Sequence, residues 1–157
     1  MTVVADPTTT ARDRAHVRLT VGSLCTGYGG LDLALRETTA CEPSWVADIE
    51  PAACTLLERR FPGVCNLGDI TATDWATVPA VDILTAGYPC QPFSSAGRRQ
   101  GANDERHLWP HIADAVRVLR PGLVVLENVA GHLSLGFDRV LADLDGLSAK
   151  GNDAGQV

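Results

Sequence analysis

The sequence predicts an α/β fold in which helices flank a parallel sheet. From His16 onward, short apolar runs alternate with segments of helical periodicity, and glycine- or proline-bearing turns stand where one hands over to the next. The 157 residues suffice for one contiguous core of helices packed on a sheet and give no sign of a second domain. A hydrophobic content of 45% and a charged content of 20% are those of an ordinary globular protein, far from the composition of disordered chains.

Residues 1–15 are polar, carry the threonine run Thr8–Thr10 and lack periodicity, so they read as a mobile leader. The first strand is expected over Leu19–Leu24. It is followed by the turn Cys25-Thr26-Gly27-Tyr28-Gly29-Gly30 and a short helix with Leu31, Ala34 and Leu35 on one face. A second strand covers about Ser44–Ala47 and ends in Asp48. Pro51 then fits a first helical position, and Phe61-Pro62-Gly63 stops that helix. A weak third strand near Val64–Leu67 precedes Asp69. Val81–Ala86 is the fourth strand, and it runs into Gly87-Tyr88-Pro89-Cys90-Gln91-Pro92, where two prolines and a glycine require a loop. Leu108, Ile112, Ala115, Val116 and Leu119 recur at helical spacing before Pro121-Gly122 ends them, and Leu123–Leu126 is a fifth, fully apolar strand delivering Glu127-Asn128.

In a parallel α/β sheet, ligands collect beyond the carboxyl ends of the strands. All five ends here carry something unusual: a glycine turn, Asp48, Asp69, Cys90 and Glu127. Gly27, Tyr28, Gly29 and Gly30 would let backbone approach a ligand closely at a helix N-terminus, or would simply make a tight strand-to-helix turn. A dinucleotide site would want a third glycine three residues after Gly29, where Asp32 stands, so a nucleoside cofactor without a pyrophosphate fits better. Asp48 lies where an acid meets ribose hydroxyls, or it is a helix-start acid. Asp69, followed by Thr71, is a second cofactor candidate or an acid capping a short helix.

Five cysteines, with no Cys-x-x-Cys pair and no histidines at ligand spacing, speak against zinc and against a disulfide framework. Cys90 stands apart because Pro89 and Pro92 fix its loop, where a lone thiol is either reactive or an inert packing residue, whereas Cys25, Cys41, Cys54 and Cys65 read as small core residues. Cysteine hydrolase chemistry would need a positioned histidine, and neither His107 nor His111 has an obvious orienting partner. Glu127 could be a partly buried acid with a raised pKa or a capping glutamate, and Asn128 holds neighbouring backbone through its amide. With no apolar run long enough to span a bilayer and no secretory signal pattern, the reading is a protein of the reducing cytoplasm, without membrane or metal partner. The net charge of -6 argues against a chain whose main task is gripping nucleic acid.

Taken together and in order, these motifs resemble the DNA cytosine-5 methyltransferase family over about residues 19–147. Ser23-Leu24-Cys25-Thr26-Gly27-Tyr28-Gly29-Gly30-Leu31 is similar to the family's first cofactor motif, Asp48-Ile49-Glu50 to its second and Gly68-Asp69-Ile70-Thr71 to its third. Gly87 to Ser94 resembles the Pro-Cys motif, and Glu127-Asn128-Val129 the motif of the catalytic acid. The resemblance implies a Rossmann-like S-adenosylmethionine-dependent methyltransferase fold. It implies that Cys90 attacks C6 of a flipped cytosine while Glu127 engages the ring N3 and exocyclic amine. It further implies that the glycine turn packs on the methionine part of the cofactor, Asp48 binds its ribose, and Ile49, Asp69 and Ile70 surround its adenine. Gln91 and Ser94 would lie near the flipped nucleotide's backbone.

Two departures stand out. The family usually has an aromatic residue where Cys25 stands. It would also continue past Leu147 with a further strand, an arginine-bearing motif, a target recognition domain and a last cofactor motif. None of these follows, and Ser148–Val157 reads as polar coil. The resemblance thus implies a catalytic domain over 16–147, incomplete at its C-terminus, with double-stranded DNA as substrate and a second polypeptide supplying recognition. The other readings are an inactive remnant, then methylation of RNA cytosine, and last a nicotinamide enzyme, which leaves Cys90 and Glu127 without a task.

Overall fold

The computed structural model describes residues 18–88, 108–128 and 137–152. Five parallel strands, β1 (Leu19–Leu24), β2 (Cys41–Ala47), β3 (Cys65–Asn66), β4 (Ile83–Gly87) and β5 (Leu123–Glu127), form one sheet in the order β3-β2-β1-β4-β5. The described helices are α1 (Gly30–Thr38), α2 (Pro51–Arg60), α3 (Trp109–Leu119) and α4 (Phe137–Asn152), with a 3-10 turn at Trp75–Thr77. The chain winds outward from β1 through β2 to β3, then returns to lay β4 on the other side of β1. That reversal opens a crevice at the carboxyl ends of β1 and β4, where a sheet of this kind binds ligands.

Register places the functional ends together. Leu24 pairs with Ala47 on one side and Ala86 on the other, and Gly87 pairs with Glu127. The core beneath is built by Leu24, Trp45, Leu84 and the buried face of α3, namely Trp109, Ile112, Ala115, Val116 and Leu119. Trp45 lies against β1 so tightly that a Cβ on Gly22 would sit 2.2 Å from its ring, which explains a glycine in the middle of a buried strand. The indole N–H of Trp45 donates to the Pro79 carbonyl at 3.0 Å.

Several local expectations need correction. β2 starts at Cys41 rather than Ser44 and includes Pro43. It can do so because β3 pairs only with Trp45 and Val46, so the missing N–H of Pro43 interrupts no ladder on that side. In α1 the buried residue is Asp32, while Ala34 is exposed and Leu31 and Leu35 are only half-buried. Of the four cysteines expected in the core, Cys41 alone is buried and Cys65 is exposed. Residues 148–152, read as coil, continue α4: once a helix is nucleated, each further residue needs no apolar contact to extend it. Val140 and the bond from the Trp109 indole N–H to Asp143 at 2.7 Å anchor that helix on α3.

Candidate cofactor and catalytic site

The turn after β1 depends on backbone shapes that few residues adopt. Cys25, Gly27 and Gly29 have φ of 49°, 71° for Gly29 and 56° for Gly27, all in the left-handed region. Gly29 is required a second time, since a Cβ there would meet the Phe61 ring at 2.7 Å, whereas Cβ atoms on Gly27 and Gly30 would enter open space. Thr26 clamps the turn between strands: its N–H donates to the Ala47 carbonyl at 3.1 Å, and its hydroxyl accepts from the Ala47 N–H at 3.1 Å.

Asp48 follows β2 directly and ties the two cofactor candidates together. Its Oδ2 accepts from the Gly27 N–H at 2.7 Å and its Oδ1 from the Glu50 N–H at 2.8 Å. Asn66 holds the Asp48 backbone from both sides, accepting from its N–H at 3.0 Å and donating to its carbonyl at 3.1 Å, while the Cys54 thiol donates to the same carbonyl at 3.2 Å. The sequence does not mark Asn66, because an amide on a weak strand carries no signal until its neighbour across the sheet is known. Beside this group, Ile49 and Tyr28 are exposed by 69% and 62%, an unusual position for two large apolar side chains.

Asp69 makes a tight local turn. Its Oδ1 accepts from both the N–H and the hydroxyl of Thr71 at 2.8 Å, and these donors hold its carboxyl below the usual range. The 3-10 turn is capped instead by Asp74, whose carboxylate accepts from the Ala76 N–H. The Ile70 side chain is buried in the core cluster rather than turned to a ligand. Burial, with the charges of Asp48 and Asp69 beside it, pushes the Cys25 thiol up to about 12, so it is a protonated group and no nucleophile.

Glu127 ends β5 and is exposed, which goes against the first of its two readings, that of a partly buried acid. It lies close to the end of β4: a Cβ on Gly87 would be 3.5 Å from Glu127 Oε2. Asn128 reaches across the same gap and donates its amide to the Tyr88 carbonyl at 3.2 Å. Tyr88 is buried with its ring 6.2 Å from that of Trp109, so the chain is fixed as it leaves β4. Cys90, Pro89, Gln91 and Ser94 lie outside the described residues, as does His107.

Between these elements, at the crevice of β1 and β4, is a concavity of about 470 Å³. Cys25, Gly27, Gly30, Thr85, Glu127 and Asp32 are among its lining residues. Asp32 is the acid that sequence reasoning passed over. It is 2% exposed, and its carboxylate accepts from the Ser23 hydroxyl at 2.9 Å and the Thr85 hydroxyl at 3.1 Å. Among the described residues no group of His, Cys, Asp and Glu could hold a metal ion, and no helix is long and apolar enough to cross a membrane.

Comparison with known proteins agrees with this geometry. The family described as C-5 cytosine-specific DNA methylase matches residues 19–144. The type II methyltransferase M.NgoBV of Neisseria gonorrhoeae is 39% identical over 104 residues, covering 65% of this chain and 25% of that protein. M.HhaI, a type II methyltransferase of Haemophilus parahaemolyticus, is 37% identical over 124 residues, covering 78% and 37%. A DNA N-6-adenine-methyltransferase of Escherichia phage P1 is 36% identical over 150 residues, covering 87% of this chain and 20% of that protein. The chain therefore spans well under half the length of these relatives. Among solved structures, the Dnmt2 methyltransferase of S. pombe superposes with a TM-score of 0.57 at 20% identity, over 83% of this chain and 41% of that one, a likeness in fold. With a family match running through nearly all of its described elements, the chain belongs to the C-5 cytosine-specific DNA methylases.

Proposed function

We propose that these residues provide the cofactor-binding and catalytic part of an enzyme that transfers a methyl group from S-adenosylmethionine to C5 of cytosine in DNA. The observation that carries this reading is the meeting of the glycine turn, Asp48 and Glu127 around one crevice. The strand β4, paired Gly87 to Glu127, ends three residues before Cys90 in the sequence.

The cofactor fits the residues present. Gly27 and Gly30 leave open space where side chains would otherwise stand, Asp48 lies beside the turn to meet ribose hydroxyls, and exposed Ile49 offers an apolar face to a flat purine. Asp69 is available to the adenine edge, while Ile70 contributes backbone only, its side chain being in the core. The Cys25 thiol takes the place at which the family usually has an aromatic ring. Bound S-adenosylmethionine supplies the electrophilic methyl group. The Cys90 thiolate adds to C6 of the cytosine and makes C5 electron-rich, while Glu127 bonds N3 and the exocyclic amine and stabilises that charge. Transfer of the methyl to C5 would leave S-adenosylhomocysteine, and passage of the C5 proton to solvent would restore the ring and break the C6–S bond, freeing Cys90. The base reaches Cys90 only when flipped out of the duplex, with Gln91 and Ser94 near its backbone. Methylation of an adenine amine needs no attacking thiol, so the name of the phage relative does not explain Cys90.

The net charge of -6 favours a division of labour in which DNA is gripped and read by polypeptide beyond these residues. Trapping tests this directly. The chain is incubated with S-adenosylmethionine and DNA containing 5-fluorocytosine, alone and with a polypeptide carrying a recognition domain, beside a Cys90→Ser control. A covalent adduct that needs Cys90 supports the proposal. No adduct from the folded chain under either condition would identify an inactive remnant.

A further inference from the structure

The concavity at the crevice is lined by two carboxylates, Asp32 from the first turn of α1 and Glu127 from the end of β5, and by no Lys, Arg or His among the described residues. Asp32 is the more unusual of the two. It is buried and receives hydrogen bonds from two neutral hydroxyls, one on β1 and one on β4, and it forms no ion pair among the described residues. Ser23, Thr85 and its own N–H in the first turn of α1 bond its oxygens, but no full positive charge among the described residues faces it, and burial pushes its carboxyl above the ordinary value against the pull of those donors. An uncompensated buried charge is costly, and a neutral asparagine could bond the same hydroxyls. An acid at this place, in the wall of a ligand cavity, gains its return from a cation in the cavity.

We propose that Asp32 is the residue by which the site recognises positive charge on its ligand, the cationic methionine end of S-adenosylmethionine. This rests on the cofactor reading above and adds to it a residue outside the glycine turn and Asp48. The charge acts across the cavity, so it selects for sulfonium or ammonium and is indifferent to the adenosine part.

Three ligands separate these contributions: S-adenosylmethionine carries both cations, S-adenosylhomocysteine only the ammonium, and 5′-methylthioadenosine neither. Binding to the wild-type chain and to Asp32→Asn is measured by calorimetry. The variant should bind S-adenosylmethionine about tenfold more weakly while its affinity for 5′-methylthioadenosine is unchanged. An equal loss for S-adenosylhomocysteine identifies the ammonium as the group read, and a loss confined to S-adenosylmethionine identifies the sulfonium. Equal weakening of all three ligands, or none, overturns the proposal while leaving the cofactor reading intact. A wild-type chain that binds none of them overturns both.

Should Asp32→Asn not fold, the wild-type protein answers alone through carbon-13 resonances of its aspartate carboxyls. Among the described residues the other titratable groups lining the cavity are Cys25 and Glu127. Added S-adenosylmethionine should lower the titration midpoint of Asp32 by more than 5′-methylthioadenosine does, and equal midpoints with the two ligands would refute the assignment.

Discussion

The N–H of Gly27 donates to the Asp48 carboxylate at 2.7 Å, joining the turn after β1 to the acid after β2. The glycine that makes room for a ligand is thereby held in place by the residue proposed to bind that ligand's ribose. Replacing Asp48 removes two things at once, a ribose acceptor and the restraint on the turn. Asp48→Ala should weaken S-adenosylmethionine binding by at least tenfold, since hydrogen bonds to a charged group are each worth about 1.5–3 kcal/mol. Titration calorimetry reads the loss, and an affinity equal to that of the wild type would sink the ribose assignment.

Two glycines eight residues apart should answer to different measurements. A methyl group at Gly22 collides with the Trp45 ring at 2.2 Å, and neither a central strand nor a buried indole can yield cheaply. Gly22→Ala should therefore cost about 3 kcal/mol in urea unfolding. At Gly30 the added Cβ meets nothing within 4 Å and stands at the first position of α1. Gly30→Ala should change stability by less than about 1 kcal/mol yet weaken cofactor binding, because the methyl group projects into the ligand's space. If Gly30→Ala unfolded the chain and bound normally once refolded, the open space there would have no function.

The cysteines should divide by reactivity. With its pKa pushed up to about 12, Cys25 has about one part in ten thousand as thiolate at pH 8, and Cys41 is buried. Brief alkylation with iodoacetamide followed by mass spectrometry should leave both unmodified in the folded chain and label exposed Cys65. Rapid labelling of Cys25 would contradict a thiol kept protonated by desolvation and by the charges of Asp48 and Asp69.

The strands and their end residues were legible because each strand is a short apolar run closed by a residue that cannot continue it. The sheet follows from that alternation, and its order brings Gly27, Asp48 and Glu127 to one edge. What the sequence hid is tertiary. The periodicity of α1 favours Leu31, Ala34 and Leu35 as its inner face, yet Asp32 is buried because hydroxyls on β1 and β4 wait for it, 9 and 53 residues away in the chain. Asn66 was equally silent, for its role exists only where β3 meets the end of β2. Cys65 departs from the usual burial of free cysteine because β3 is a two-residue strand at the edge of the sheet.

Asp32 should also make the stability of the chain depend on pH. Burial raises its carboxyl above the ordinary value of 3.8, the Ser23 and Thr85 hydroxyls opposing that shift without cancelling it. The folded chain then holds a proton on Asp32 more tightly than the unfolded chain does. Its contribution to stability is fully present below 3.8 and is lost as pH rises through the folded midpoint. Asparagine cannot ionise, so Asp32→Asn escapes that loss. Unfolding free energies measured from acid to neutral pH should show the variant gaining on the wild type as pH rises and the difference levelling off once Asp32 is ionised. A difference that stays flat across the range would mean that Asp32 titrates alike in both states, and a difference of opposite slope would mean that a cation outside the described residues already compensates it.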